Sequence, residues 1–500
     1  MLPFRRTAVS AGASALLLVS SSATAKELIP DPVAPHAPAE LSGGAYFGGA
    51  LAAAGGLAVA GAPLANTDVG SAWSLGVVQQ DWSAEELIPL APPAEGYFGS
   101  AVAIDQQGAI AVAMPGAGTG KVMMFENGDV TDLQVTLGTT STLGSSLALS
   151  QGLLLVGDQT SKSCMDGNCG AVFQFQNLGG WKQVGEPILA STPVTGQKFG
   201  AAIALFASDP VMAAIGAPGD IVNSVATGSV YLMHDDQVNG WIVQRLASPP
   251  GLTDGDEFGS QVALSEQWVL ATTFDSGHVY AFDLITEMWT SLDTLVKSGG
   301  SHRSVTIAGD LAAIGDYDAN DLDGAVTVLT IEGGNFSFLS QLDPPQIGLL
   351  GRFGLGATLD GETLWIGEPG NGAGRVHRFV VKSSPGEPCG DDYDCASGQC
   401  SMNICSDPSN ETIGEATSDT GADGASTTTS PDPTGTAGGV TTADGVTTAG
   451  GVTTAGGSEG GVGVDLPDLF DGCECNSTGG STQWLWFSLL LLARGRRRTR

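Results

Sequence analysis

Three oxygen-bearing side chains stand at alternate positions in the stretch Asp316-Tyr317-Asp318-Ala319-Asn320-Asp321-Leu322-Asp323-Gly324. Asp316, Asp318 and Asn320 have the one-three-five spacing with which a loop begins to wrap calcium, an ion that takes six or more oxygen ligands. Asp321 replaces the glycine wanted at position six, and Gly324 stands where position nine would offer a carboxylate. The stretch therefore reads either as a Ca2+ site or as a solvated acidic turn. The five histidines, His36, His234, His278, His302 and His377, are scattered, and no HExxH, nucleophile elbow or phosphate loop is present. Catalysis has no sequence support, so a non-enzymatic protein is expected. A carboxylate pair acting on a glycan leaves no sequence signature, and it stays open as the alternative.

The cysteines suggest staples. Cys164 and Cys169 bracket Met165-Asp166-Gly167-Asn168, whose glycine and asparagine suit a tight turn closed by a local disulfide. Cys389, Cys395, Cys400 and Cys405 fall within 17 residues. In an exported chain they predict two disulfides, with three pairings open. Zinc is the weaker reading, since no CxxC pair and no histidine lie nearby.

What must position these residues is a repeat. Phe-Gly, a strand, something close to Gly-Ala-Pro, then a Gly-small-Val strand recurs with anchors at Phe47, Phe98, Leu143, Phe199, Phe258, Ser301 and Phe353. The Leu143 copy is weakened and the Ser301 copy degenerate, with His302-Arg303 in place of the glycine. A period averaging 51 residues, built of short strands and turns, predicts an all-β, seven-bladed β-propeller over residues 26–382. In the second copy the four strands are expected at 100–104, 109–114, 121–125 and 130–137. Aromatics near the start of the fourth strands, Trp82, Trp181, Trp241, Trp289 and Phe336, are expected to pack between outer strands. The seventh copy stops after its third strand. Glu27-Leu28-Ile29-Pro30 repeats the outer-strand sequence Glu86-Leu87-Ile88-Pro89, so residues 26–31 are expected to complete the last blade and remove an open edge.

The Phe-Gly and Gly-Ala-Pro pairs resemble FG-GAP repeats, the units of the integrin α-subunit propeller and of bacterial surface propellers. The resemblance spans about 350 residues. It departs from the integrin type in one respect. The turns Asp105-Gln106-Gln107-Gly108, Ser150-Gln151-Gly152, Ser265-Glu266-Gln267 and Asp360-Gly361-Glu362 lack the DxDxDG ligands that hold calcium there, so the bacterial subtype without them is nearer. Recognition is expected on the loops joining second and third strands, the most variable part of the chain: Leu64 to Val69, Asp158 to Cys169, Gly219 to Thr227 and Asp316 to Asp323.

The ends read as addresses. Arg5-Arg6, an apolar run from Ala11 to Val19 and Ala23-Thr24-Ala25 form a signal peptide, 1–25, cut after Ala25. Residues 383–410 are a small disulfide-rich module. Residues 411–470, rich in Thr, Gly, Ala, Ser and Asp, cannot bury a core and should be a disordered linker with a reach of roughly 45 Å. Residues 471–500 carry Cys473 and Cys475, ten apolar residues and five arginines. Ten residues of helix span about 15 Å, half a bilayer core. The tail resembles myxobacterial C-terminal sorting tails, which implies processing near Cys473 or Cys475. The formal charge of −34 argues against nucleic acid as a partner. The expected protein is thus exported, held at the cell surface (outer membrane) or secreted, touching membrane only through its tail. Its propeller is expected to be monomeric and to bind a surface protein or polysaccharide. A structural envelope role is the other alternative.

Overall fold

The structure, a computed structural model, describes residues 26–30 and 34–384 apart from positions 80, 165–166, 237–239, 275, 297–301 and 349, with 395–397, 399–401 and 404–406 beyond. The signal segment with Ala25, Cys389, the linker and the tail with Cys473 and Cys475 lie outside the described residues.

Seven four-stranded antiparallel sheets follow one another along the chain. Blade one runs Ala50–Ala54, Leu57–Ala62, Ser71–Val78 and Asp81–Glu86. Blades two to six span 102–132, 146–183, 202–245, 261–291 and 302–342. Blade seven has Ala357–Asp360, Thr363–Glu368 and Arg375–Ser383, with Lys26–Pro30 as its outer strand. The inner strands touch in sequence, and that of blade seven touches that of blade one, so the ring is closed. Second strands such as Ile110–Met114 and Leu311–Asp316 are buried along their whole length, as sheets sandwiched between neighbouring blades must be. Outer strands alternate between half-buried and exposed, as in Asp81–Glu86. The outer strand of blade two, expected to reach 137, ends at Asp132, with the Leu133 N–H still donating to the Val122 carbonyl.

Every recognisable copy of the repeat makes the same junction. In Tyr46-Phe47-Gly48-Gly49 the Gly49 N–H donates to the Tyr46 carbonyl at 3.1 Å, and Gly48 has φ of 87°. That is a type II turn, whose third position requires the left-handed region and hence glycine. The turn recurs at Gly99, Gly144, Gly200 and Gly354, with φ between 86° and 93°. The turn glycine then donates its N–H to the Gly-Ala-Pro glycine, or its replacement, of its own blade, at 2.9 to 3.1 Å. Its carbonyl meets the Gly-Ala-Pro glycine of the preceding blade. A Cβ on Gly61 would lie 1.9 Å from the Gly99 oxygen, and one on Gly216 would lie 2.0 Å from the Gly259 oxygen. The aromatic beside the turn glycine is fully buried in five blades, at Phe47, Phe98, Phe199, Phe258 and Phe353.

The two deviant copies follow from this contact. Ala113 replaces the Gly-Ala-Pro glycine of blade two, and the next anchor is Leu143 instead of phenylalanine. Thr272 replaces it in blade five, and the next anchor is Ser301-His302. Wherever the glycine is kept, the next blade has Phe-Gly. At the fifth junction the Thr272 hydroxyl is buried without a hydrogen-bond partner among the described residues. Blade six opens there with a register shift between His302 and Ser304, so His302-Arg303 marks a bulge. Leu292 and Val296, brought in by a tight turn, supply apolar packing with Leu270 and Val279.

Closure occurs as the repeated Glu-Leu-Ile-Pro implied. Lys26–Pro30 pairs antiparallel with Arg375–Ser383, with Leu28 opposite Val381. Leu28 joins the core between blades six and seven, and the Lys26 ammonium lies 2.8 Å from Asp310 and 3.3 Å from Glu362. The outer aromatics bridge blades as expected. The Trp181 indole donates to Glu126 and that of Trp241 to Gln174, each on the preceding blade, and Phe336 packs edge-on against Trp268 at 5.0 Å. Cys164 is bonded to Cys169 and Cys395 to Cys405. Cys400 is also disulfide-bonded.

Deleting residues 26–30 from the mature chain removes Leu28 and Ile29 from cover and bares the edge of Arg375–Ser383. Denaturant unfolding is expected to show a loss of about 2–4 kcal/mol, from about 1.5–3 kcal/mol per buried aliphatic side chain. Light scattering should show concentration-dependent association through the bared edge.

Candidate functional site

Links between blades and the loops between second and third strands share one face, and hydrogen bonds join the two sets into a layer. The Tyr97 and Phe98 N–H groups donate to Asp68 and Val69 of the blade-one loop. Arg352 and Phe353 repeat this on Leu322 and Asp323 of the blade-six loop. The backbone of this face is therefore fixed by the same junctions that close the ring.

The residue before each Phe-Gly, or Leu-Gly in blade three, lies next to the start of the preceding blade's third strand, so these residues together form a collar on this face. They are Tyr46, Tyr97, Thr142, Lys198, Glu257 and Arg352, and all but Thr142 have φ between 50° and 65°. Neighbours touch across two junctions. The Lys198 ammonium lies 2.9 Å from the Glu257 carboxylate. Arg352 donates to the Tyr46 hydroxyl and its guanidinium sits 5.7 Å from that ring's centre. Burial and the charges of Asp68 and Glu95 push the Tyr97 hydroxyl up to about 12, so it stays protonated. Exposed apolar side chains stand on the same face, at Ile221 in the blade-four loop and Ile347 and Leu350 in the sixth link. Below the blade-four loop, Gln197 donates to the Tyr231 hydroxyl, which donates to Asp220, with Arg245 3.6 Å from that carboxylate. Burial first, then Asp220, raises the Tyr231 hydroxyl well above its ordinary value.

The acidic blade-six stretch is part of this face. Asp316 is buried at the end of its strand, Asp318 is half-buried, and Asn320 is exposed and donates its amide to Asp343 at 3.0 Å. Asp323 accepts N–H groups from Gly348 and Leu350 and so anchors the following link. Asn320 and Asp321 are left-handed, at φ 54° and 59°, and Asn66 and Thr67 of blade one take the same conformation. The matching blade-one residues are Ala62, Leu64 and Asn66, so the turn forms there without the carboxylates of Asp316 and Asp318. Among the described residues no group of three His, Cys, Asp or Glu could hold a metal ion.

Other buried carboxylates also hold backbone. Asp158 accepts from the N–H groups of Ser141 and Thr142 and from the Thr142 hydroxyl, which fixes the link into blade three. Glu368 lies 2.8 Å from His377 and 2.9 Å from the Asn371 amide. Burial opposes its charge, but these hydrogen bonds and the charges of His377 and Arg375 hold it below the usual carboxylate range. His278 lies 2.8 Å from Asp293 in blade five. The described histidine side chains, His36, His234, His278 and His377, lie in different parts of the ring. The inner strands, which wall the channel, carry one carboxylate, Asp360, and it accepts from the Gly56 N–H. The collar escaped sequence reading because its members share a backbone position and not a residue type; the fixed place before Phe-Gly was the available signal.

No protein-family model matches the chain, and no curated protein matches it. Among solved structures it is similar to PorZ, an essential bacterial surface component of the type-IX secretion system of Porphyromonas gingivalis, with a TM-score of 0.43 and 11% identity over 70% of this chain. The chain spans 40% of the length of that structure, and a likeness at this level carries no information about a site or a partner.

Because the blade-six turn is held by its own hydrogen bonds, adding millimolar calcium or a chelator should leave the melting temperature unchanged within about 1 °C. A site filled at 100 times its Kd would add about 2.7 kcal/mol, which differential scanning calorimetry would register as a clear upward shift.

Proposed function

We propose that this protein is an exported, non-enzymatic binding module that recognises a surface protein or polysaccharide with the link-and-loop face of its propeller. The observation that carries the reading is the contrast on that face: a repeated, hydrogen-bonded frame presents side chains that differ from blade to blade. A rigid frame with variable loops is how scaffolds achieve recognition at low ordering cost. The FG-GAP resemblance, in its subtype without the DxDxDG loops, agrees with a binding role. Placement at the cell surface is supported by the sequence of the two ends and by the linker composition.

The test is binding of the labelled mature chain to whole cells and to isolated surface polysaccharide, with calcium and with chelator. Saturable binding is expected in both media. Arg352→Ala and Ile221→Asp should each weaken it by about tenfold or more, as for hot-spot residues, while Glu266→Ala in a turn between first and second strands should not. Equal loss from all three variants, or no saturable binding, would contradict the assignment of this face.

A further inference from the structure

The ring closes on a histidine where every other blade has an aliphatic residue. In each blade the residue two beyond the glycine of the third strand pairs with a residue at the start of the next link. Those partners are Leu87 on Ala72, Leu133 on Val122, Ile188 on Val172, Leu246 on Val230, Leu292 on Val279 and Leu342 on Val326. In blade seven the pair is His36 on Val376, with both backbone hydrogen bonds at 2.9 Å. His36 therefore sits in an apolar position, reached by the chain that runs from the closing strand into blade one. Its ring lies 5.2 Å from Trp82 and 6.3 Å from Phe47, centre to centre, and its Nε2 is buried without a hydrogen-bond partner among the described residues. Trp82 holds the same segment by donating its indole N–H to Ala34 at 2.6 Å.

We propose that His36 makes the closure of the ring acid-labile: protonation of its half-buried ring, whose Nε2 is shielded from water, drives the segment around it out from between blades seven and one and loosens the Lys26–Pro30 strand. A neutral imidazole tolerates an aromatic slot, whereas an imidazolium has two donors to satisfy and a charge to solvate. Among the described residues, the charged groups around it do not supply a partner. Glu40, on its own segment, favours the charged form but leaves Nε2 unpaired. On the Trp82 strand, Glu86 accepts from Ser71, and Asp81 and Glu85 stand on the same outer strand. On the Val376 strand, His377 pairs with Glu368 and Arg378 lies over Trp365, while Arg375 acts on Glu368. Beside Phe47, Tyr46 is engaged by Arg352.

Burial lowers the affinity of His36 for a proton, and Glu40 offsets this only in part. The opened state then binds the proton more readily than the closed one. Closure is favoured above the ordinary histidine value of 6.5 and is weakened as pH falls below it. Glu368, held below its ordinary value of 4.5, remains ionised through this window and does not contribute.

The experiment is hydrogen exchange by mass spectrometry on the mature chain between pH 7.5 and 5, corrected for intrinsic rates, with His36→Leu and His36→Ile alongside. In the wild type, protection of residues 26–30 and 375–383 should fall by up to about tenfold per pH unit below 6.5, while that of blade four stays constant. Both variants, which restore the residue types of the other blades, should hold that protection constant with pH. A parallel fall in both variants, or constant protection in the wild type, would overturn the proposal.

Discussion

The architecture depends on one close approach. The Gly-Ala-Pro glycine of each regular blade lies against the carbonyl of the Phe-Gly turn in the next blade, with no room for a Cβ. Close-packed interiors transmit a misfit of even one methyl group, so this contact sets the spacing between blades. The spacing in turn decides whether the buried phenylalanine fits. Composition along the repeat obeys that order of dependence: Ala113 is followed by Leu143, and Thr272 by the bulged start of blade six.

The same contact connects fold to function. The turn that brings the glycine carbonyl into place also fixes the residue before phenylalanine in a left-handed conformation, and so sets out the collar of Tyr46, Tyr97, Lys198, Glu257 and Arg352. Side chains at these positions do not make the frame. They are free to differ, and Arg352 with Tyr46 or Lys198 with Glu257 show neighbouring blades using that freedom to pair. The loops beyond them are tied to the frame by backbone hydrogen bonds, so variation there is displayed and not absorbed.

Much of this was legible in the sequence because the repeat is local. Phe-Gly and Gly-Ala-Pro lie within 20 residues of one another, and the closing strand declared itself by repeating Glu-Leu-Ile-Pro. What stayed hidden was whatever depends on neighbours distant in sequence. Nothing in Asp316-Tyr317-Asp318-Ala319-Asn320 tells that Asn320 spends its amide on Asp343 or that Asp323 carries the next link. The degeneracy at Ser301 follows from Thr272, which stands across the junction in the preceding blade. His36 could not be aligned with Leu87 or Leu292 by sequence, because the ring closes through chain segments at opposite ends.

The most direct measurement of the central claim is a double-mutant cycle across the junction between blades four and five, by denaturant unfolding. Gly216→Ala alone should cost about 2 kcal/mol or more, as overpacking of a fixed contact does. Phe258→Leu added to it recreates the Ala113–Leu143 combination, and the account predicts that the pair costs less than the sum of the single losses by about 1 kcal/mol or more. Losses that simply add, or a Gly216→Ala variant as stable as the wild type, would contradict the claim that this approach governs the ring.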